Sequence, residues 1–329
     1  MTSHFIKKLL ISIVFTIYLI SSIEACWPKC PDYESKYKKN VPRKRVISHL
    51  SDSLEIRQLA LIGTRHSASQ GTKFRTQDLT ISQQLKYGVR VLDSAIWSSS
   101  NVFWLYGHWA YYMPFEKFLR EVNSFLNAHP REFVIILMRE EWKPASDVTK
   151  SYCEIVQYYR DLAGGHRIVT NWRLEDTIGQ HRGKILLAGL DSAFNICDFD
   201  VSNKCRVQKT SIPYGTMSEL EEKWIDIQNF HDLIYWIRGR CFVNFLANFR
   251  DTNNRKLAVK GFRTRRNDEC EAPLNVRMES YFSTPHYALV IVMADFVTQD
   301  LIDSILSANF EGIDDKMLLF NNKQYQHEI

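Results

Sequence analysis

Short apolar runs and helix-type stretches alternate along this chain from about residue 58 to residue 294. The runs at 58–62, 89–93, 102–106, 133–138, 184–190, 241–246 and 289–294 are rich in Val, Ile, Leu and Phe and have strand length, so they read as β-strands. Between them the pattern predicts helices over 80–87, 115–128, 147–163 and 218–236. Strands separated by helices of this length imply a parallel sheet with crossover connections, and this many pairs predicts an α/β fold built as a single distorted (β/α)₈ barrel. In such barrels the chemistry sits at the C-terminal ends of the strands. Arg65 and His66 then follow the first strand, and Asp93 ends the second. Tyr106 and His108 belong to the third, Arg139, Glu140 and Glu141 to the fourth, and Asp295 to one of the last.

Composition bounds the rest. The 329 residues are 45% hydrophobic and 24% charged, the balance of a globular protein with a full core. The formal charge of +5 permits attraction to an anionic surface or ligand without demanding it. No basic run is interleaved with aromatics, so nucleic acid is not an expected partner. Lys7-Lys8, the apolar run 9–20 and the small residues before Cys26 have the layout of a secretory signal peptide over residues 1–25. A basic, proline-containing arm follows over 26–45, and the barrel domain is expected over 46–329. All seven cysteines lie beyond the signal segment. A secreted protein is expected to form up to three disulfides from them, with Cys26–Cys30 and Cys197–Cys205 as the local pairings. No Asn-x-Ser/Thr sequon is present.

Four stretches carry a family resemblance: Leu61-Ile-Gly-Thr-Arg-His-Ser-Ala-Ser69, the segment 76–93 ending Tyr87-Gly-Val-Arg-Val-Leu-Asp93, Leu105-Tyr-Gly-His108, and 125–137. They resemble the X domain of phosphatidylinositol-specific phospholipase C. That family reads Gly-Thr-His-Asp/Asn-Ser at the first site, Gly-Ile/Val-Arg-x-x-Asp-x-Arg at the second and His-Gly at the third. The resemblance runs from about residue 46 to 310 and implies phosphodiester chemistry. A general base takes the inositol hydroxyl proton, a general acid protonates the leaving oxygen, an arginine neutralises the phosphate, and carboxylates orient the histidines.

The positions that carry this chemistry are changed. Arg65 stands where the first histidine belongs, Tyr106 where the second belongs, and Ala95 in place of the arginine. Asp93, Ser67, Arg90 and the late carboxylate Asp295 remain. A guanidinium stays charged at neutral pH and cannot act as a base, and a phenol is a poor acid or base near pH 7. Each lost acid–base group typically costs about 10²–10⁴ in rate, so the family mechanism is expected to be close to silent.

Three readings stay open. In the first, the old pocket holds an inositol-phosphate-like or other anionic phosphodiester ligand without cleaving it, with Arg65, Asp93, Arg139, Glu140 and Trp109 as contacts. In the second, His66 and His108 take over proton transfer with Asp93 or Asp295 behind them, since a two-residue step along a strand returns His108 to the face of Tyr106. In the third, the chain is a scaffold for a partner. Glu140 serves either as a contact or as the ion-pair partner of Arg139 or another strand-end cation. The aromatics Trp104, Trp109, Tyr111 and Tyr112 either stack on a sugar, meet a membrane interface or pack the rim. His66 at the position next to the lost base is a poor ligand for calcium, so neither a metal nor another cofactor is expected.

Overall fold

The computed structural model describes residues 42–72, 75–107, 110–210, 217–247, 254–263, 270–285 and 287–310, with 31 and 33 besides. The signal segment, most of the arm, His108, Trp109 and residues 311–329 lie outside the described residues.

Eight strands run parallel in one curled sheet. Their spatial order is β6 (Ile168–Val169), β7 (Ile185–Gly189), β5 (Val134–Glu140), β2 (Val91–Ser99), β1 (Ala60–Thr64), β12 (Leu289–Ala294), β9 (Cys241–Phe245) and β8 (Cys205–Gln208). The expected barrel is thus present in distorted form, with sheet edges at β6 and β8. A separate short antiparallel pair is formed by β10 (Phe262–Arg263) and β11 (Cys270–Glu271). The central strands β1, β12 and β9 are buried at every position, as continuous apolar runs covered on both faces should be. Among the described residues the helices are α1 (Ile81–Tyr87), α2 (Phe115–Ala128), α3 (Tyr152–Leu162), α4 (Ile178–His181), α5 (Met217–Asp232), α6 (Leu274–Tyr281) and α7 (Gln299–Ser307). Their ends follow local chemistry. Thr80 caps α1 in a box with Gln83, and Gly88 closes it at φ 116°, a conformation glycine adopts at little cost. Ser151 and Glu154 box the start of α3, so that helix begins later than the sequence pattern predicts.

One expected barrel strand belongs elsewhere. β3 (Val102–Gly107) is antiparallel to β2, and β4 (Ala110–Pro114) is antiparallel to β3. The connection from β2 to β3 is Ser100-Asn101, both in the left-handed region at φ 52° and 60°. Two such residues make a hairpin, whereas a parallel crossover needs a dozen residues or more. The hairpin brings Gly107 back down to the level of the barrel mouth.

At the opposite end, Arg90 and Glu132 pin the incoming chain. Both are fully buried, with Arg90 Nε 2.7 Å from Glu132 Oε2. Glu132 also accepts the backbone N–H groups of Val46, Ile47 and Ser48. The remaining guanidinium nitrogens of Arg90 donate to the carbonyls of Leu85, Val89, Arg43 and Lys44.

The disulfides correct the expected Cys197–Cys205 pairing, whereas Cys26 and Cys30 lie outside the described residues. Cys197 is bonded to Cys153, 44 residues away, and Cys205 to Cys241, 36 residues away. The first ties α3 to the loop after β7, and the second ties the starts of two neighbouring parallel strands, so proximity comes from the sheet and not from the chain. Cys270 is disulfide-bonded as well.

Candidate functional site

The mouth is built where β1, β2, β5 and β12 end. Arg65 continues the ladder of β1 by donating its N–H to the carbonyl of Ala294, which sets its side chain beside Asp295. Nε and Nη2 of Arg65 reach Asp295 Oδ1 and Oδ2 at 2.8 and 2.6 Å. The arginine is 0% exposed and the aspartate 1%. A second pair faces it: Arg139 Nε and Nη2 reach Asp93 Oδ1 and Oδ2 at 2.6 and 2.8 Å. Ala95 stands in register with Arg139 and is buried. Its small side chain leaves the space between the strands to the Arg139 guanidinium. Burial works against charge on Arg139, yet the adjacent Asp93 carboxylate outweighs it and holds the guanidinium protonated. Burial pushes the Asp295 carboxyl up, against the opposing pull of Arg65.

The loop after β1 is fixed by a short network. Ser67 N–H donates to the Asp93 carbonyl, Asp93 N–H donates to Ser67 Oγ at 2.8 Å, and Ser67 Oγ donates to the Thr64 carbonyl at 2.8 Å. His66 is held in the left-handed region at φ 41°, an uncommon place for a residue with a side chain and one that costs of order 1 kcal/mol. Its backbone N–H, not its ring, bonds to Asp93 Oδ2 at 2.8 Å. The ring turns to the end of β3 and meets Tyr112 edge-on at 5.8 Å between centroids.

Gly107 lies between them. A Cβ built on it would sit 2.5 Å from His66 Nδ1 and 2.5 Å from the Tyr112 hydroxyl, so those two atoms are at most about 5 Å apart. The Tyr112 hydroxyl is buried and has no hydrogen-bond partner among the described residues. Burial pushes its pKa up, so it stays protonated. Gly107→Ala is expected to cost about 1–3 kcal/mol through this overlap, read as a lower urea midpoint. A midpoint equal to wild type would show that the hairpin end is not seated on His66.

Several expected residues are placed differently. Tyr106 faces a wall of rings, with centroids 5.4 Å from Trp97, 5.5 Å from Tyr111 and 5.1 Å from Trp142. Trp104 joins through Tyr111 at 5.9 Å. Of the alternatives for Glu140, the structure shows an ion pair with a cation just past the strand end, Lys143. Neighbouring residues on a strand point to opposite faces, and Glu140 turns outward to accept the Tyr152 hydroxyl and Lys143 Nζ, each at 2.8 Å. His108 and Trp109 lie outside the described residues. The sequence pattern did not single out Trp97 and Trp142, although Trp97 shares the face of Asp93 and Ala95 by the two-residue period of β2. Nor did it single out Lys223 of α5, which is buried and donates to Gln208 Oε1 at 2.9 Å and the Thr210 carbonyl at 2.8 Å. Burial lowers its pKa to about 7. Lys223 lies on the same helical stripe as Leu220 and Ile227, which was the available signal.

Among the described residues no group of three or more His, Cys, Asp or Glu could hold a metal ion. No described helix is long and apolar enough to cross a membrane.

A parallel eight-stranded α/β sheet, curled around paired acids and bases at its C-terminal mouth, is the frame of a TIM-type barrel. In the sequence, residues 54–151 match the PI-PLC X 1 family model. Over that segment the chain is similar to phosphatidylinositol-specific phospholipase C X domains. It is 28% identical over 152 residues to a 1-phosphatidylinositol phosphodiesterase of Staphylococcus aureus strain Newman, covering 43% of this chain and 49% of the relative. The match to the same enzyme of strain NCTC 8325 is also 28% and covers 46% of it. The chain therefore matches about half the length of these curated relatives. A solved S. aureus phosphatidylinositol-specific phospholipase C superposes with a TM-score of 0.65 at 18% identity, covering 82% of this chain and 98% of that one. The Listeria monocytogenes enzyme does so at 0.58 and 18%, covering 82% and 99%. At such identities the likeness is one of fold.

Proposed function

We propose that this chain is a secreted, degenerate member of the phosphatidylinositol-specific phospholipase C X-domain family that binds a phosphoinositide-like or inositol-phosphate-like anionic ligand at the barrel mouth and does not cleave it. One observation carries the reading. Asp93 and Asp295, the carboxylates that would support proton transfer, are each closed by a two-point contact to a buried guanidinium. A carboxylate so engaged has little capacity left to orient a histidine, and His66 meets Asp93 only through its backbone. Arg65, seated on Asp295 and fully buried, serves as a structural cation in the place of a base. What the mouth offers to a ligand is the ring wall, with Tyr111 45% exposed, and rings of this kind stack on the apolar face of a sugar or cyclitol. The disulfides fit an oxidising, extracellular setting. The reading invokes no metal or cofactor.

The test pairs turnover with binding. Phosphatidylinositol and glycosyl-phosphatidylinositol are offered to the wild type, His66→Ala and His108→Ala, and myo-inositol 1-phosphate is titrated calorimetrically into the wild type. Binding without turnover above the variants is expected. Turnover lost by about 10²-fold or more in either histidine variant would instead establish an active phosphodiesterase with relocated histidines, the reading favoured by the position of the His66 ring.

A further inference from the structure

The end of the barrel opposite the mouth carries an exposed aromatic turn that the site does not use. Trp236 is 83% exposed and its neighbour Tyr235 43%, both between α5 and the start of β9. Single exposed apolar residues are ordinary on soluble proteins. This turn differs in its bracing and in its charge. The Tyr287 hydroxyl donates to the Tyr235 carbonyl at 2.6 Å, and Gly239 N–H donates to the Tyr287 carbonyl at 3.0 Å. The Arg238 guanidinium lies 4.8 Å over the Tyr287 ring. Cys241, where β9 begins, is bonded to Cys205 at the start of β8. The register sets Cys205 beside Cys241 and Cys241 beside Leu289. The residues just before these three strands therefore share one level at this end of the barrel.

Those residues include Lys204, Arg240 and Tyr287. Lys204 and Arg240 are exposed beside the Trp236 turn, and Arg240 donates to the Asn203 carbonyl at 3.0 Å. Among the described residues no carboxylate pairs with Lys204, Arg238 or Arg240. The nearby exposed acid, Asp232, is held by the Tyr281 hydroxyl. The result is a fixed, level surface with a tryptophan, a tyrosine and three cations. Tryptophan and tyrosine rings settle at the headgroup level of a bilayer, and Lys and Arg are drawn to anionic lipid.

We propose that this end of the barrel docks on an anionic bilayer, with Trp236 and Tyr235 entering the headgroup region and Lys204, Arg238 and Arg240 meeting lipid phosphates. Docking by this face leaves the mouth pointing away from that bilayer, so it is independent of whether the mouth holds a ligand.

The experiment is co-sedimentation of the full secreted chain with phosphatidylcholine vesicles, with and without phosphatidylserine. The wild type is expected to sediment only with the anionic vesicles. Trp236→Ala should lower the partition coefficient by about tenfold. Arg238→Gln with Arg240→Gln should lower it by about 25-fold, at about fivefold per cation. Tyr158→Ala, which removes an exposed aromatic on α3, should leave it unchanged. Thermal melts equal to wild type would confirm that the variants are folded. Failure of the wild type to sediment with anionic vesicles overturns the proposal, as does wild-type partitioning of Trp236→Ala or equal loss in Tyr158→Ala.

Discussion

Arg90→Ala is expected to destabilise the protein by about 3–5 kcal/mol at neutral pH, a large part of the roughly 5–15 kcal/mol that holds a typical domain. The arginine and Glu132 are both buried, so removing one leaves the other as an uncompensated charge in a medium that solvates it poorly. The loss extends beyond the pair, because Arg90 also serves four backbone carbonyls that would be left short of donors. The pH dependence identifies the cause. Burial raises the Glu132 carboxyl, but Arg90 and Ser48 outweigh it and hold the pKa below its usual value. A depressed carboxylate contributes stability that is present above the unfolded-state pKa of about 4.3 and is lost as pH falls through the folded value. In Arg90→Ala that contribution disappears, so urea unfolding compared at pH 7 and well below pH ~4 should show a smaller gap from wild type at the acid end. A gap that is the same at both pH values would assign the effect to packing alone.

Arg65→Ala is expected to cost a similar 3–5 kcal/mol, by the same mechanism at the mouth. Here the partner behaves differently. Burial pushes the Asp295 carboxyl up, and Arg65 is the main opposing influence. Without the arginine the carboxyl takes up a proton more readily. The cost should therefore shrink as pH is lowered, because a group whose folded pKa is raised loses stability only as pH climbs through that value. Arg65→Leu with Asp295→Leu should recover most of the loss, since an apolar pair of similar volume commonly replaces a buried ion pair without penalty. The readout is a double-mutant cycle of unfolding free energies at pH 5 and pH 7. If the double variant is as unstable as the single one, Arg65 and Asp295 do not act as a pair.

The departures on which the proposed function rests are legible in the order of residues alone. Gly63-Thr-Arg-His-Ser67, Ala95 and Tyr106 depart from the family pattern at the base, the cation and the acid, and side-chain chemistry says that arginine and tyrosine do not replace two histidines. The apolar runs also locate every one of the central strands, because a strand buried on both faces must be written in continuous apolar residues. What each polar residue meets is not legible there. Arg65 and Asp295 lie 230 residues apart, and Arg139 and Asp93 lie 46 apart. Sequence spacing carries no information about such pairs.

Orientation is equally hidden. Arg139 and Glu140 are adjacent and equally suited to the mouth by residue type, yet the pleat of β5 sends one inward and the other to α3. Tyr112 is one more ring in a rim cluster by its neighbours in the chain, while the fold turns it from that cluster to His66. The run 102–106 has the composition of a barrel strand, and only the two left-handed residues before it fold it back as a hairpin. The sequence by itself thus determined the fold class and the central strands, since these follow from local residue chemistry and period. The tertiary structure alone decided that the two carboxylates left behind are locked to arginines. Ion pairing and disulfide pairing depend on which strand ends the curled sheet sets side by side, and that is a property of strand order and register, not of any stretch of the chain.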